Sequence, residues 1–287
     1  MVHDSIMSLM RAIGRMVALL VGALGVGVLL LALYVAVVWL RLPSVESLGD
    51  EGDPGWTAFM LEDSCDVIDV RWKPLRKIDP RLGCAVVFAE DLHFFHHGGV
   101  DWDALRLAFR DGLSRGEFNR GGSTIPMQLA RNLFLTRSRQ PSRKLRELFL
   151  APRLVDRYER TRLLEVYLNT AEFAPCVYGA EAASRHYFGH SVRHLDLAEA
   201  TFLASMLPRP RTPPGTLRGD RSRLQVKQRR LVRAFTRLRL VSVEESRAAG
   251  REIVRFWSQG WRRHAPTSSG PASRGWYRRA CGTGRNP

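Results

Sequence analysis

Gly121-Gly122-Ser123-Thr124-Ile125-Pro126-Met127-Gln128-Leu129-Ala130-Arg131-Asn132 reads as a glycine-opened turn that runs into a helix. Ser123 stands where a cap is wanted, and Pro126 falls in the first turn, where a missing N–H is tolerated. Ile125, Leu129 and Leu133 share one face, while Gln128, Arg131 and Asn132 share the other at i, i+3 and i+4. The glycines lead to free N–H groups and a helix dipole that suit an anion. The G-K-[ST] ending of a Walker loop is absent. A flexible loop capped by Ser123 would account for the glycines but not for the polar face.

Two other segments set polar chemistry in an apolar frame. The run Cys84-Ala85-Val86-Val87-Phe88-Ala89 leads straight into Glu90-Asp91-Leu92-His93-Phe94-Phe95-His96-His97-Gly98-Gly99. A carboxylate at the end of an apolar run is partly desolvated, which suits general acid or base work. The alternative is a helix-end carboxylate paired with an arginine. The spacing of His93, His96 and His97 matches no zinc pattern, so a capping or core role is expected. In Arg143-Lys144-Leu145-Arg146-Glu147, Arg143 and Glu147 stand one helical turn apart. They form either a solvated ion pair or a cationic clamp for a phosphate beside a second carboxylate.

The surrounding chain reads as mostly α. Trp102, Leu105, Phe109 and Leu113 give an amphipathic helix with Asp101 as N-cap. Further helical runs cover Lys144–Arg157, with Pro152 expected to kink or split it, then Thr161–Asn169, Gly179–Phe188 and Leu195–Leu207. Pro208–Gly219 is a breaker. Arg221–Leu240 is a basic helix with Leu224, Leu231, Phe235 and Leu238 inward, and Ser242 with Glu245 opens a last helix to about Trp257. Leu42–Pro80 is punctuated by proline and glycine, with one short strand or hairpin around Val67–Val70.

Met16–Leu40 holds no charge over 25 residues. As a helix it spans about 37 Å, more than a bilayer's hydrocarbon core. Tyr34 and Trp39 lie near its far end, and Arg11 and Arg15 precede it while Arg41 follows. A cleaved signal peptide has a shorter apolar run and a small-residue cleavage site, so an uncleaved anchor is the expectation. With the N-terminus inside, residues 42–287 lie outside the cytoplasm.

The 287-residue chain carries 44 Lys+Arg against 28 Asp+Glu, a formal net charge of +16. Only Lys73, Lys77, Lys144 and Lys227 are lysines, so arginine dominates. Such charge admits nucleic acid, anionic lipid or phosphorylated substrates. The anchor removes nucleic acid. Cys65, Cys84, Cys176 and Cys281 are too scattered for a disulfide scaffold or zinc ribbon, and three full pairings are open to them.

In order and wording these segments resemble the motifs of the glycosyltransferase family 51 peptidoglycan polymerases. The family's E-D-x-x-F-x-x-H-x-G is met by Glu90, Asp91, Phe94, His97 and Gly99. Its G-[GA]-S-T-I-x-x-Q-x-x-K-N is met by Gly121 to Ile125, Gln128 and Asn132, with Arg131 in the lysine's place. R-K-x-x-E is Arg143, Lys144 and Glu147. The fourth motif resembles Leu164–Asn169 with Gly179–Gly189, and the fifth Leu197–Pro208. The resemblance covers roughly residues 80–215.

It implies a mainly α, lysozyme-like, two-lobed glycosyltransferase domain behind one N-terminal transmembrane helix. The divisions are then a cytoplasmic N-terminus 1–15, an anchor 16–40, a connector 41–80, a glycosyltransferase core 81–215, a basic helical extension 216–262 and a disordered tail 263–287. No S-x-x-K of a transpeptidase exists, so the chain resembles the monofunctional biosynthetic members. The implied reaction transfers a polyprenyl-diphosphate-linked growing glycan onto the 4-hydroxyl of lipid II, with inversion and release of polyprenyl diphosphate. Glu90 is then the general base, and Glu147 a second catalytic carboxylate beside the diphosphate. Asp91, Phe94, His97, Ser123, Thr124, Gln128, Arg131, Asn132, Arg143 and Lys144 are expected to bind substrate. No cofactor or dedicated metal site is expected, although Mg or Mn could assist at the diphosphate. The location implied is the bacterial inner membrane, single-pass, with the catalytic part on the periplasmic side. The partners are the membrane and other cell-wall synthesis proteins.

Two departures stand out. Arg131 offers a planar fork in place of an ammonium, and Ala174-Pro175-Cys176 stiffens a loop that is glycine-rich in the family. A lysozyme-like hydrolase also needs a protonatable carboxylate, but a glycan gives Arg131, Arg143 and Lys144 no diphosphate to hold. A catalytically inactive scaffold of a cell-wall complex is the remaining alternative.

Overall fold

The computed structural model describes residues 2–115, 122–138, 140–208, 210–211 and 220–259, with Cys281. Gly121, most of the Pro208–Gly219 breaker and the tail after Gln259 apart from Cys281 lie outside the described residues. The chain divides into two units, residues 1–43 and 44–287.

The first unit is one helix, α1, Val2–Leu40. The stretch Ile13–Leu40 is the one described helix long and apolar enough to cross a membrane. Most of its leucines and valines are exposed, as an apolar rod largely without a protein core around it must leave them, while Val38 near its end is buried.

The second unit is mostly helical. After a short helix α2, Ala58–Leu61, and strand β1, Asp69–Val70, come α3, Pro80–Glu90, and α4, Trp102–Arg115. Then follow α5, Ile125–Phe134, α6, Pro141–Arg157, and α7, Arg160–Thr170. Strands β2, Glu172–Ala174, and β3, Val177–Tyr178, precede α8, Ala180–Phe188, and α9, Leu197–Met206. The basic helix α10, Asp220–Arg237, and α11, Val243–Gln259, close the described chain. The strands form a small sheet in the order β1-β3-β2, with β1 parallel to β3 and β2 antiparallel to it. Only the first of these strands had a signal in the alternation of the sequence.

α9 is the central post. Every one of its residues is buried, which its apolar, alanine-rich composition permits. Asp196 and Glu199 form a reciprocal capping box at its start. Helices α3, α10 and α11 pack around it. Phe202 of α9 meets Phe256 and Trp257 of α11 at ring separations of 5.0 and 6.0 Å. The last helix opens at Ser242, whose Oγ accepts from Glu245 N at 3.0 Å, as the sequence suggested.

Three local expectations need correction. Thr124, not Ser123, caps α5, since its Oγ1 accepts from Met127 N. α6 is not split at Pro152 but continues through it. On α4, Trp102, Phe109 and Leu113 are exposed instead of inward. Leu105 and buried Ala108 face the core, because that side must admit the chain at Gly122. A Cβ on Gly122 would come within 3.2 Å of the Leu105 and Ala108 side chains. A stripe of large residues could not pack so closely. Asp101 does cap α4, accepting from Ala104 N at 2.8 Å and pairing with His93.

Two disulfides join distant segments. Cys65 bonds Cys176 and Cys84 bonds Cys281. The first ties the 58–66 segment to the β2–β3 turn, where Cys176 takes a left-handed φ of 62°.

Candidate active site

Glu90 is the last residue of α3, after the fully buried run Leu82–Val87. Its carboxylate is only 11% exposed. Oε2 accepts from Gln128 Nε2 at 3.2 Å and Oε1 from Lys227 Nζ at 3.0 Å. Gln128 is fixed from behind, because its Oε1 accepts from the Tyr167 hydroxyl at 2.9 Å. Burial, helped by the negative charge of Glu90, raises the Tyr167 phenol well above its ordinary value, so it stays a donor.

Asp91, one residue on, turns the other way. It is buried, and its carboxylate accepts from Ile125 N at 2.8 Å and meets His97 Nε2 at 2.9 Å. His97 Nδ1 accepts from Gly99 N at 3.1 Å, which places the ring proton on Nε2, pointing at Asp91. Arg160 donates to the His97 carbonyl and lies over the Phe94 ring. Thr124 Oγ1 donates to Gly99 O at 2.6 Å. Gly99 itself has a φ of +97°, and a Cβ there would lie 2.6 Å from the Ala151–Pro152 peptide. Only glycine fits. Asp91, Phe94, His97 and Thr124, expected to bind substrate, are thus held by contacts within the protein. Phe94 is fully buried, and the four lock the 91–99 turn to the start of α5.

The third motif forms its own cluster. Glu147, 1% exposed, holds Lys144 Nζ at 2.8 Å and Arg143 Nε at 3.5 Å. Lys144 Nζ also donates to Ser123 Oγ at 2.7 Å. The start of α5 thus links the two carboxylates, with Ser123 on the Glu147 side and Gln128 on Glu90.

A cavity of about 410 Å³ opens beside these groups, lined by Gln128, Arg131, Asn132, Arg143 and Tyr167. Phe59, Arg137, Glu172 and Arg211 also line it. Arg131 lies over the Phe59 ring at 5.7 Å and Arg137 at 4.4 Å. Among the described residues Arg143 Nε finds no hydrogen-bond acceptor of good geometry, although it is buried. Arg137 and Arg211 both pair with Asp63 and Glu172. Burial would raise the Asp63 carboxyl, but hydrogen bonds from Tyr178 and Arg211 carry it below its ordinary value. No group of three His, Cys, Asp or Glu among the described residues could hold a metal ion.

The fourth motif is structural. Glu165 accepts from Leu75 N at 2.6 Å and Arg162 at 2.7 Å, and Asn169 brackets Lys73 through both its N–H and its carbonyl. Together they pin the 73–75 segment to α7. Lys227, Arg137, Arg211 and Phe59 carried no motif. Lys227 alone had a signal, as one of four lysines among 44 basic residues.

A half-buried helix-end carboxylate beside an arginine-lined cleft, on a mainly α frame, suits a glycosyl-transfer class of site. A transglycosylase family model matches residues 62–234, more than half of the chain, and the chain belongs to that family. Curated relatives agree. A biosynthetic peptidoglycan transglycosylase of Nitrosospira multiformis is 45% identical over 141 residues, 49% of this chain and 61% of that protein. One from Chromobacterium violaceum is 40% identical over 55% of this chain and 73% of its own length. One from Bordetella avium is 39% identical over 63% and 77%.

Proposed function

We propose that this chain polymerises peptidoglycan glycan strands, moving a polyprenyl-diphosphate-linked glycan onto the 4-hydroxyl of lipid II. The observation that carries the reading is the juxtaposition of a gripped Glu90 carboxylate with a cleft walled by Arg131 and Arg143. Glu90 takes the proton from the acceptor hydroxyl. The oxygen bonds to the donor's anomeric carbon from the opposite face, the bond from that carbon to the diphosphate breaks, and polyprenyl diphosphate leaves with the electron pair. Negative charge grows on the leaving group, and preorganised cations stabilise it. The Arg143 guanidinium, partly exposed in the cavity wall and paired with Glu147 on its Nε side, is a cation available to a phosphate. Glu147 orients Arg143 and Lys144 by its two ion pairs.

α1 anchors the enzyme to the bacterial inner membrane, with its catalytic unit on the outer side. Two supports are the apolar span Ile13–Leu40 and the two disulfides, which persist in oxidising compartments. Exposed Trp102, Phe109 and Leu113 on α4, interleaved with Arg106 and Arg110, suit contact with lipid.

The test is product analysis of purified full-length protein in lipid vesicles supplied with labelled lipid II. Long glycan strands and free polyprenyl diphosphate in step are expected. Muropeptide release from finished wall, without strands, would instead make the chain a lysozyme-like hydrolase.

A further inference from the structure

We infer that Lys227 is a positioning residue for this reaction, holding the Glu90 carboxylate in a single orientation; the inference rests on Glu90 being the base. Glu90 is gripped from two elements, by Gln128 of α5 on Oε2 and by Lys227 of α10 on Oε1. Each oxygen has a second lone pair, which leaves an acceptor for the hydroxyl proton.

α10 is the basic extension that the motifs leave unexplained, yet its register is tightly set. Gln228, next to Lys227, is 1% exposed. It donates to Ala198 O of α9 at 2.7 Å and accepts from Trp257 Nε1 of α11 at 2.9 Å. Phe235 packs edge-on against Phe88, two residues before Glu90, at 5.4 Å. These contacts deliver the Lys227 ammonium to one carboxylate oxygen.

The residue type agrees. Along α10, Arg223, Arg229, Arg230, Arg233 and Arg237 are exposed, whereas the half-buried cation on the carboxylate is a lysine. An ammonium is compact and can hold one oxygen. A guanidinium fork engages both oxygens of a carboxylate. Here it would displace Gln128 and cover the acceptor needed by the hydroxyl.

The test uses full-length protein in vesicles with labelled lipid II, comparing the parent with Lys227→Met, Lys227→Arg, Lys227→Ala and Glu90→Gln. The parent is expected to polymerise and Glu90→Gln to stop. Lys227→Met should lose at least about tenfold in kcat, with KM and thermal midpoint near the parent's. Lys227→Arg should not restore turnover. Ethylammonium added to Lys227→Ala should restore part of it, while tetramethylammonium, which has no N–H, should not. Parental kcat in Lys227→Met, with Glu90→Gln inactive, would overturn the role of Lys227 and leave Glu90 standing. Parental activity in Glu90→Gln would remove both. A lowered thermal midpoint in Lys227→Met together with no ammonium rescue would make the residue merely structural.

Discussion

Adjacent carboxylates on one turn have opposite work. Glu90 is held by Lys227 and by Gln128, which lines the cleft. Asp91 faces inward and satisfies Ile125 N and His97. Replacing Asp91 by Ala strands both donors, and each buried unsatisfied group costs about 1–3 kcal/mol. Asp91→Ala should therefore lower the thermal unfolding midpoint, with activity falling alongside it. A raised KM at an unchanged midpoint would show instead that Asp91 touches substrate. The motif names both residues, but spacing alone cannot tell a cleft carboxylate from a buried one. That difference arises because α3 ends at Glu90 and the chain turns there. The partner of Glu90 was less legible still, since Lys227 lies 137 residues away.

At the scale of elements, periodicity found the helices and missed the direction of one face. α4 was legible from its spacing and its Asp101 cap, but a stripe of large apolar residues says only that something apolar covers it. Close packing at Gly122 selects the Leu105–Ala108 side for the core and leaves Trp102, Phe109 and Leu113 outward. Replacing both Phe109 and Leu113 by Glu should cut co-sedimentation with anionic vesicles in a chain lacking residues 1–43, several-fold, without lowering the midpoint. α8 carries a second testable device. Glu181 is buried, which would raise its carboxyl, yet hydrogen bonds from Val192 N, Ser191 and Arg185 and the charge of Lys73 carry it below 4.5. A lowered carboxylate stabilises the fold above its unfolded value and loses that stabilisation as pH falls through its folded value. The midpoint should thus drop as pH falls below 4.5, and Glu181→Gln should be less stable at neutral pH with a shallower acid slope. An unchanged acid slope would assign that loss to other groups, Asp63 and Asp101 among them, which are lowered in the same direction.

Across the whole molecule, covalent links do what short strands cannot. Cys65–Cys176 closes a separation of 111 residues, and Cys84–Cys281 one of 197. Loop closure on this scale corresponds to about 5 kcal/mol per bond in the chain-entropy account. Cys65→Ser/Cys176→Ser should lower the midpoint clearly, and reductant should do the same to the parent. Equal midpoints with and without reductant would mean that the pairs add nothing. The sequence left three pairings open, because pairing depends on β1 lying parallel to β3, a contact across more than a hundred residues. The reaction itself is most directly tested at Glu90. Labelled lipid II, resolved on a gel after incubation with the parent and with Glu90→Gln, should give a ladder of glycan strands from the parent and none from the variant, both folded. A ladder from both would contradict the central claim that Glu90 is the base.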